Sequence, residues 1–306
     1  MIEKKEIETK LKTILSEDHI FPNELMSKHT TFKIGGKADF FVLPSSIEEV
    51  SKIYSIADEY QIPLTIIGNG SNVLVSDKGI PGIVCSFGSA FSYINPVNNK
   101  IFVGAGTILG AVSKWAGGRG LTGIEFAVGI PGSIGGAIFM NAGAYDGEMK
   151  NVVTGVTALS SNGKSFHYDA DQLDFSYRHS IFHDNGQTIC EIELTLQKGD
   201  PSQIQAKMKD FTQRRIQKQP LEFPSAGSTF KRPEGYYAGT LIEQTGLKGF
   251  RVGGAEVSTK HAGFVVNTNH ATADDVIKLI HEVQKRVYDK NHVMLQPEIR
   301  LLGDFN

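Results

Sequence analysis

The chain has 306 residues, more than a single hydrophobic core usually serves, so two or three domains are expected. Hydrophobic residues make up 40% and charged residues 21%, the composition of a soluble globular protein. A net charge of −2 gives no reason to expect nucleic acid or an anionic membrane as a partner, so any binding chemistry must be local.

Along the chain, residues 2–15 place Ile7, Leu11, Ile14 and Leu15 on one stripe and predict a packing helix. The first eight residues are too charged for a signal peptide, and no apolar run reaches the ~18 residues of a membrane span. The cytoplasm is therefore the expected location. An apolar run at 40–43 follows, then a capping box of Ser46 and Glu49 that opens a helix with Ile47, Val50, Ile53, Tyr54 and Ala57 on its buried side. A strand at 63–67 runs into the loop Gly68-Asn69-Gly70-Ser71-Asn72. Further strands are expected at 82–87 and 101–104, a small-residue helix at 108–116, and strands at 152–159 and 188–196. In the last of these Cys190, Ile192, Leu194 and Leu196 alternate with Glu191, Glu193 and Thr195, which predicts one wet face.

Gly199-Asp200-Pro201 marks a boundary, with Asp200 as cap and Pro201 in the first turn of a helix that Pro220 ends. Its buried stripe is Ile204, Met208 and Phe211. A glycine-rich α+β segment follows, then a strand at 263–267 and a last helix opened by Thr272 and Asp275, with Val276, Leu279, Ile280, Val283 and Val287 inside.

The most informative stretch is residues 129–145, in which Gly129, Pro131, Gly132, Ser133, Gly135, Gly136, Asn141, Ala142 and Gly143 are separated only by small or apolar residues. Glycine permits positive φ and close backbone approach, and successive exposed N–H groups form a nest for an anion such as a pyrophosphate. The Gly68–Asn72 loop offers the same donors plus the Ser71 hydroxyl and two amides, so two loops point to one large diphosphate ligand.

Familiar nucleotide motifs fail. Gly104, Gly106 and Gly110 miss the dinucleotide fingerprint by one residue, and Ala158 stands where a P-loop preceding Gly163-Lys164-Ser165 needs glycine. Lys285 likewise spoils the zinc-protease pattern that begins at His281-Glu282. Cys85 and Cys190 lie in apolar runs, where a buried inert thiol is expected, and no CxxC suggests zinc or a redox pair. His179 and His183 are four apart, but with no acidic third ligand evident no metal is expected.

Three short motifs remain: Phe175-Ser-Tyr-Arg178-His-Ser, Ala226-Gly-Ser228-Thr-Phe-Lys231, and Leu295-Gln-Pro-Glu298-Ile-Arg300. Taken alone, Arg178 reads as a surface ion pair and Ser228 as part of a polar turn. Glu298 and Arg300 read as the wet face of a strand that buries Ile299 and Leu301.

With both glycine loops, these motifs resemble the UDP-N-acetylenolpyruvoylglucosamine reductase family over about residues 30 to 300. The resemblance implies an α+β fold: a two-subdomain FAD-binding fold of the PCMH/vanillyl-alcohol-oxidase type plus a C-terminal α+β substrate domain. It implies an N-terminal helical segment at 1–29, an FAD-binding domain at 30–198 and a substrate-binding domain at 199–306. Both loops would line a non-covalent FAD, with Arg215 and Arg300 as further flavin contacts. NADPH would reduce the FAD, and UDP-N-acetylglucosamine enolpyruvate would then be reduced at its C=C bond to UDP-N-acetylmuramate, a peptidoglycan precursor. Ser228 is implied as proton donor. Arg178 and Glu298 would stabilise the enolate, and a protonated Glu298 could donate a hydrogen bond that an ionised one could not. A cytoplasmic monomer is expected.

Two departures from the family stand out. Asp146 follows Ala-Gly-Ala-Tyr145 where the family often has glycine. The interval from Arg178 to Ser228 also leaves little room for the tyrosine-bearing loop of one branch, so the chain looks like the branch without it. Another FAD enzyme of the same broad class, such as an oxidase, and a non-enzymatic nucleotide-sugar binding module are the alternatives. The three motifs argue against the first, and a flavin colour would exclude the second.

Overall fold

The chain folds into two units that are each discontinuous in sequence, in a computed structural model that describes residues 4–305. The first unit comprises the chain up to Pro22, Phe40–Asn69 and Gly82–Arg214; the second comprises Asn23–Asp39, Gly70–Pro81 and the chain from Arg215 onward. A single cut near residue 198 does not separate them, because strand Val73–Val75 pairs in parallel with strand Arg300–Leu302.

The first unit holds two sheets with separate cores. A four-stranded sheet takes the order Ile20–Pro22, Ala38–Val42, Ile80–Ser86, Leu64–Ile67. Helices Lys4–Lys12 and Ile47–Glu59 contribute Ile7, Leu11, Ile53, Ile56 and Ala57 to its core. Met1 to Glu3, including the predicted helix start at Ile2, lie outside the described residues. Ser46 caps the second helix by accepting from Glu49 N–H at 3.1 Å, but the Glu49 carboxylate takes the Ser45 N–H instead of closing a capping box on Ser46.

A five-stranded sheet of order Ser165–Asp169, Val153–Leu159, Thr188–Leu194, Lys100–Gly104, Ile94–Val97 carries the second core, with helices Leu109–Gly117 and Ile134–Phe139 packed into it. The Thr188–Leu194 strand is flanked on both edges, so Glu193 is only 7% exposed, against the expectation of a wet face. Lys100 Nζ at 2.8 Å and the Thr154 hydroxyl at 2.7 Å satisfy its carboxylate. Burial alone would raise the Glu193 pKa; the lysine and the hydroxyl outweigh it and hold the carboxyl below its ordinary value. Cys85 and Cys190 are free and buried, and burial pushes both thiols up, Cys190 to about 12.

In the second unit an antiparallel sheet runs Ser225–Ser228, Phe264–Asn267, Ala255–Val257, Arg251–Val252. Helix Ala273–Asn291 covers it, burying Val276, Leu279, Ile280, Val283 and Val287. Its capping box is complete, with Thr272 and Asp275 each accepting from the other's backbone. Asp200 caps helix Pro201–Lys218 as its sequence predicts, taking the N–H groups of Ser202 and Gln203. Leu301 departs from its predicted place and is 47% exposed, while Ile299 is buried. The fold class is α+β, as the element pattern implies. Among the described residues no helix is long and apolar enough to cross a membrane.

Candidate active site

In the first unit the strand Leu64–Ile67 delivers the chain to Gly68 and Asn69, which line a polar cleft with Ser86, Phe87, Gly106 and Ser133. A Cβ on Gly68 would lie 2.5 Å from Ser133 Oγ, so this approach admits only glycine unless Ser133 moves. Among the described residues, the N–H groups of Gly68 and Asn69 meet no acceptor of the protein itself. No acidic residue is among the cleft lining. An anion with several oxygens, such as the pyrophosphate of FAD, fits these donors.

The central glycine stretch is not one long loop. Residues Ile134–Phe139 form a short helix, with Ser133 Oγ accepting from Gly136 N–H at 3.3 Å. The glycines serve different ends. Gly132 needs its φ of +142°, Gly135 packs so closely that a Cβ would sit 2.9 Å from Ala105 Cβ, and Gly136 is exposed. Gly129 ends the turn before the helix and Pro131 is exposed.

Beyond the helix, Asn141 is fully buried, while Ala142 and Gly143 are half-buried. Gly143-Ala144 pairs with Gly147-Glu148 around Tyr145 and Asp146, which have φ of +50° and +65°. Two left-handed central residues make a tight hairpin, so Asp146 takes the place of a glycine at a conformational cost. The Tyr145 ring offsets it by stacking on Phe211 at 4.4 Å, with its hydroxyl donating to the Phe211 carbonyl at 3.1 Å.

Arg178 occupies a two-residue turn closed by mutual bonds between Ser176 and His179, each 3.2 Å. It is half-buried with a φ of +58°, and its guanidinium lies 5.0 Å from the Tyr177 ring centre. Acidic groups do reach the next residue, contrary to expectation: Asp174 and Asp184 gather at His179, whose Nε2 is 3.2 Å from Asp184. His183 is not one of the three but stacks its ring on His179 at 5.1 Å and packs on Phe139 at 3.8 Å.

The second unit holds Gly70, Ser71, Asn72, Arg215, Ser228, Glu298 and Arg300. Gly70 has a φ of +61°, and a Cβ there would strike the His29 carbonyl. Asn72 Nδ2 donates to the Glu298 carbonyl at 3.3 Å, and Arg300 N–H donates to the Asn72 carbonyl at 2.9 Å. Ser228 ends its strand exposed, after Gly227 turns the backbone at φ +76°. Glu298 N–H donates to the Thr229 carbonyl at 2.8 Å, and Phe230 bridges Pro297. The segments carrying Ser228 and Glu298 are thus hydrogen-bonded neighbours. Arg215 is half-buried, whereas Arg214 is exposed and paired with Asp210 at 2.8 Å.

Sequence reasoning did not single out Ser86 and Phe87 as cleft residues, and it met Gly106 only in a failed motif. The available signal was their position at or just past the ends of two strands, Ile80–Ser86 and Lys100–Gly104.

The FAD binding domain family matches residues 38–169, and the UDP-N-acetylenolpyruvoylglucosamine reductase C-terminal domain family matches residues 219–302. The UDP-N-acetylenolpyruvoylglucosamine reductase of Clostridium novyi is 48% identical over 304 residues, 99% of each chain. That of Lactiplantibacillus plantarum is 48% identical over 282 residues, covering 92% of this chain and 93% of its own. Among solved structures, the UDP-N-acetylenolpyruvylglucosamine reductase of Thermus caldophilus superposes with a TM-score of 0.79 at 34% identity, covering 91% of this chain and 97% of that one.

Proposed function

Because the chain belongs to the UDP-N-acetylenolpyruvoylglucosamine reductase family, we propose that Ser228, Arg178 and Glu298 carry the substrate half of its reaction. The protein is an FAD-dependent oxidoreductase that reduces UDP-N-acetylglucosamine enolpyruvate in peptidoglycan precursor synthesis, with NADPH the reductant expected of the family. Bound FAD supplies the hydride added to the vinyl CH₂ carbon. The Gly68–Asn72 loop and residues 129–136, with Ala142 and Gly143, would hold the FAD, the Gly68 and Asn69 amides meeting its diphosphate, with Arg215 and Arg300 as further contacts.

Hydride addition builds negative charge on the neighbouring carbon and its carboxylate. The Arg178 guanidinium would bind that carboxylate, and a protonated Glu298 would donate a hydrogen bond to the same charge. The Ser228 hydroxyl then gives its proton to the carbon beside the carboxylate, so hydride and proton together complete addition across the C=C bond. Serine is a weak acid, but the acceptor is strongly basic, and a positioned hydroxyl suffices.

The observation that carries this reading is the Glu298 N–H to Thr229 carbonyl bond, which seats the proposed carboxylate partner beside the residue that follows Ser228. As a division of labour we propose an N-terminal segment at 1–29, FAD binding at 30–198 and substrate binding at 199–306, with residues 70–81 built into the same compact unit as the C-terminal part, the enzyme acting as a cytoplasmic monomer. Sedimentation showing a dimer at micromolar concentration would refute the last point.

The test is anaerobic. NADPH should bleach the flavin band of wild type and the enolpyruvyl substrate should restore it. Ser228→Ala should bleach within about twofold of the wild-type rate and recover about 10³-fold more slowly. Fast recovery in Ser228→Ala would remove serine from the mechanism.

A further inference from the structure

We propose that Asn141 and Glu148 are positioning residues for substrate reduction, acting through the turn that presents Arg178. This rests on the reading that Arg178 holds the substrate carboxylate.

Asn141 lies just past helix Ile134–Phe139, fully buried, with a left-handed φ of +39°. Its Nδ2 donates to the Ser176 carbonyl at 3.1 Å and to Glu148 Oε2 at 2.8 Å, and its Oδ1 accepts from Lys150 N–H at 3.0 Å. A side-chain amide has two donor hydrogens, and both are engaged inside the protein. Nothing is left for it to donate to a cofactor.

Ser176 is one foot of the Arg178 turn, and its carbonyl takes both the Asn141 amide and the His179 N–H. The other side of the turn is pinned as well. Ser180, fully buried, donates its hydroxyl to the Phe139 carbonyl at 2.8 Å. Both anchors therefore come from one short element, the end of the helix whose opposite end carries Ser133.

Glu148 orients the amide. One carboxylate oxygen receives Asn141 Nδ2, while the other pairs with Lys150 Nζ at 2.6 Å. A charged acceptor makes the amide bond stronger than a neutral one would. The arrangement matters because Arg178 sits at a φ of +58°, where an L-residue stays only if its surroundings insist. A shift of the turn by about 1 Å would misplace the guanidinium enough to cost about 10²-fold in rate.

The experiment uses the FAD-loaded enzyme and reads the two half-reactions separately in Asn141→Asp, Glu148→Gln, Arg178→Ala and Asn141→Asp/Arg178→Ala. Asn141→Asp keeps the shape and replaces the donor with an acceptor that faces two other acceptors. It should slow flavin reoxidation by substrate about 10²-fold with a raised substrate KM, and leave reduction by NADPH within about twofold. Glu148→Gln, the milder change, should slow the same half-reaction about tenfold and serves if Asn141→Asp does not fold. In the Arg178→Ala background Asn141→Asp should add less than about twofold, since its effect runs through the arginine. Equal slowing of both half-reactions, or full multiplication of the two effects, would overturn the positioning role and leave the Arg178 assignment standing. If Arg178→Ala itself left substrate reduction intact, the assignment and this inference would fall together.

Discussion

Replacing Arg178 by glycine and by alanine separates what the turn costs from what the arginine does. Arg178 has a φ of +58° in a two-residue turn, the conformation for which such turns prefer glycine. Left-handed backbone costs an L-residue about 1–2 kcal/mol. Glycine escapes that cost but brings about 0.5–1 kcal/mol of extra freedom to the unfolded chain. Both variants lose the contact over Tyr177, worth about 0.5 kcal/mol at an exposed ring. The difference leaves Arg178→Gly more stable than Arg178→Ala by about 0.5–1 kcal/mol, the reverse of the order at helical or extended positions. The chain's single tryptophan, Trp115, lies in the same unit, so its fluorescence follows the relevant unfolding transition. Urea midpoints should be compared at one fixed FAD concentration, because bound ligand adds stability by mass action. With a slope near 3 kcal/mol/M the glycine variant should unfold about 0.2–0.3 M later. Both should fail to reduce substrate. A midpoint for alanine equal to or above that for glycine would show that the turn carries no strain.

Gly68→Ala should weaken FAD binding by at least about tenfold, read by fluorescence titration of apoprotein, because the new methyl meets Ser133 Oγ at 2.5 Å. Adding Ser133→Ala should restore part of the loss; wild-type affinity in Gly68→Ala would show that the cleft does not hold the cofactor. Glu193 should make stability pH-dependent. Its folded pKa is depressed, so its contribution is full above the ordinary carboxylate pKa near 4.5 and is lost as pH falls through the folded value. The stability gap between wild type and Glu193→Gln should therefore be constant from about pH 8 to 6 and close below about pH 4.5. A gap that widened on acidification would reverse the sign assigned to that ion pair.

Local rules made much of the fold legible. Asp200, Ser46 and Thr272 announced three helix starts because a short polar side chain can satisfy an end N–H group. Alternation marked the strands, but not how deeply each was sandwiched. Glu193 is buried because strands pair on both edges of its own, a fact no local pattern carries. Helix Ile134–Phe139 was hidden for a different reason. Six residues containing Gly135 and Gly136 have neither the propensity nor the length to declare a helix, and packing on Ala105 makes one anyway. The glycine loops suggested an anion, while the reason for each glycine emerged only from its neighbours. The roles proposed for Ser228, Arg178 and Glu298 rest on family motifs and not on any local pattern. A left-handed arginine and its asparagine anchor leave no trace in composition or spacing.

The ladder between Val73–Val75 and Arg300–Leu302 also orders events during synthesis. Strand 73–75 is made well before its partner, so this ladder stays open until residues 300–302 have been synthesised. Loop closure over so long a span is slow, and an unpaired strand is the natural point of capture for chaperones or for another nascent chain. For the same reason a fragment beginning near residue 199 would lack residues 70–81, and with them the strand that its last ladder requires. Supplying that missing piece as a separate peptide offers a direct route to controlling when the second unit assembles.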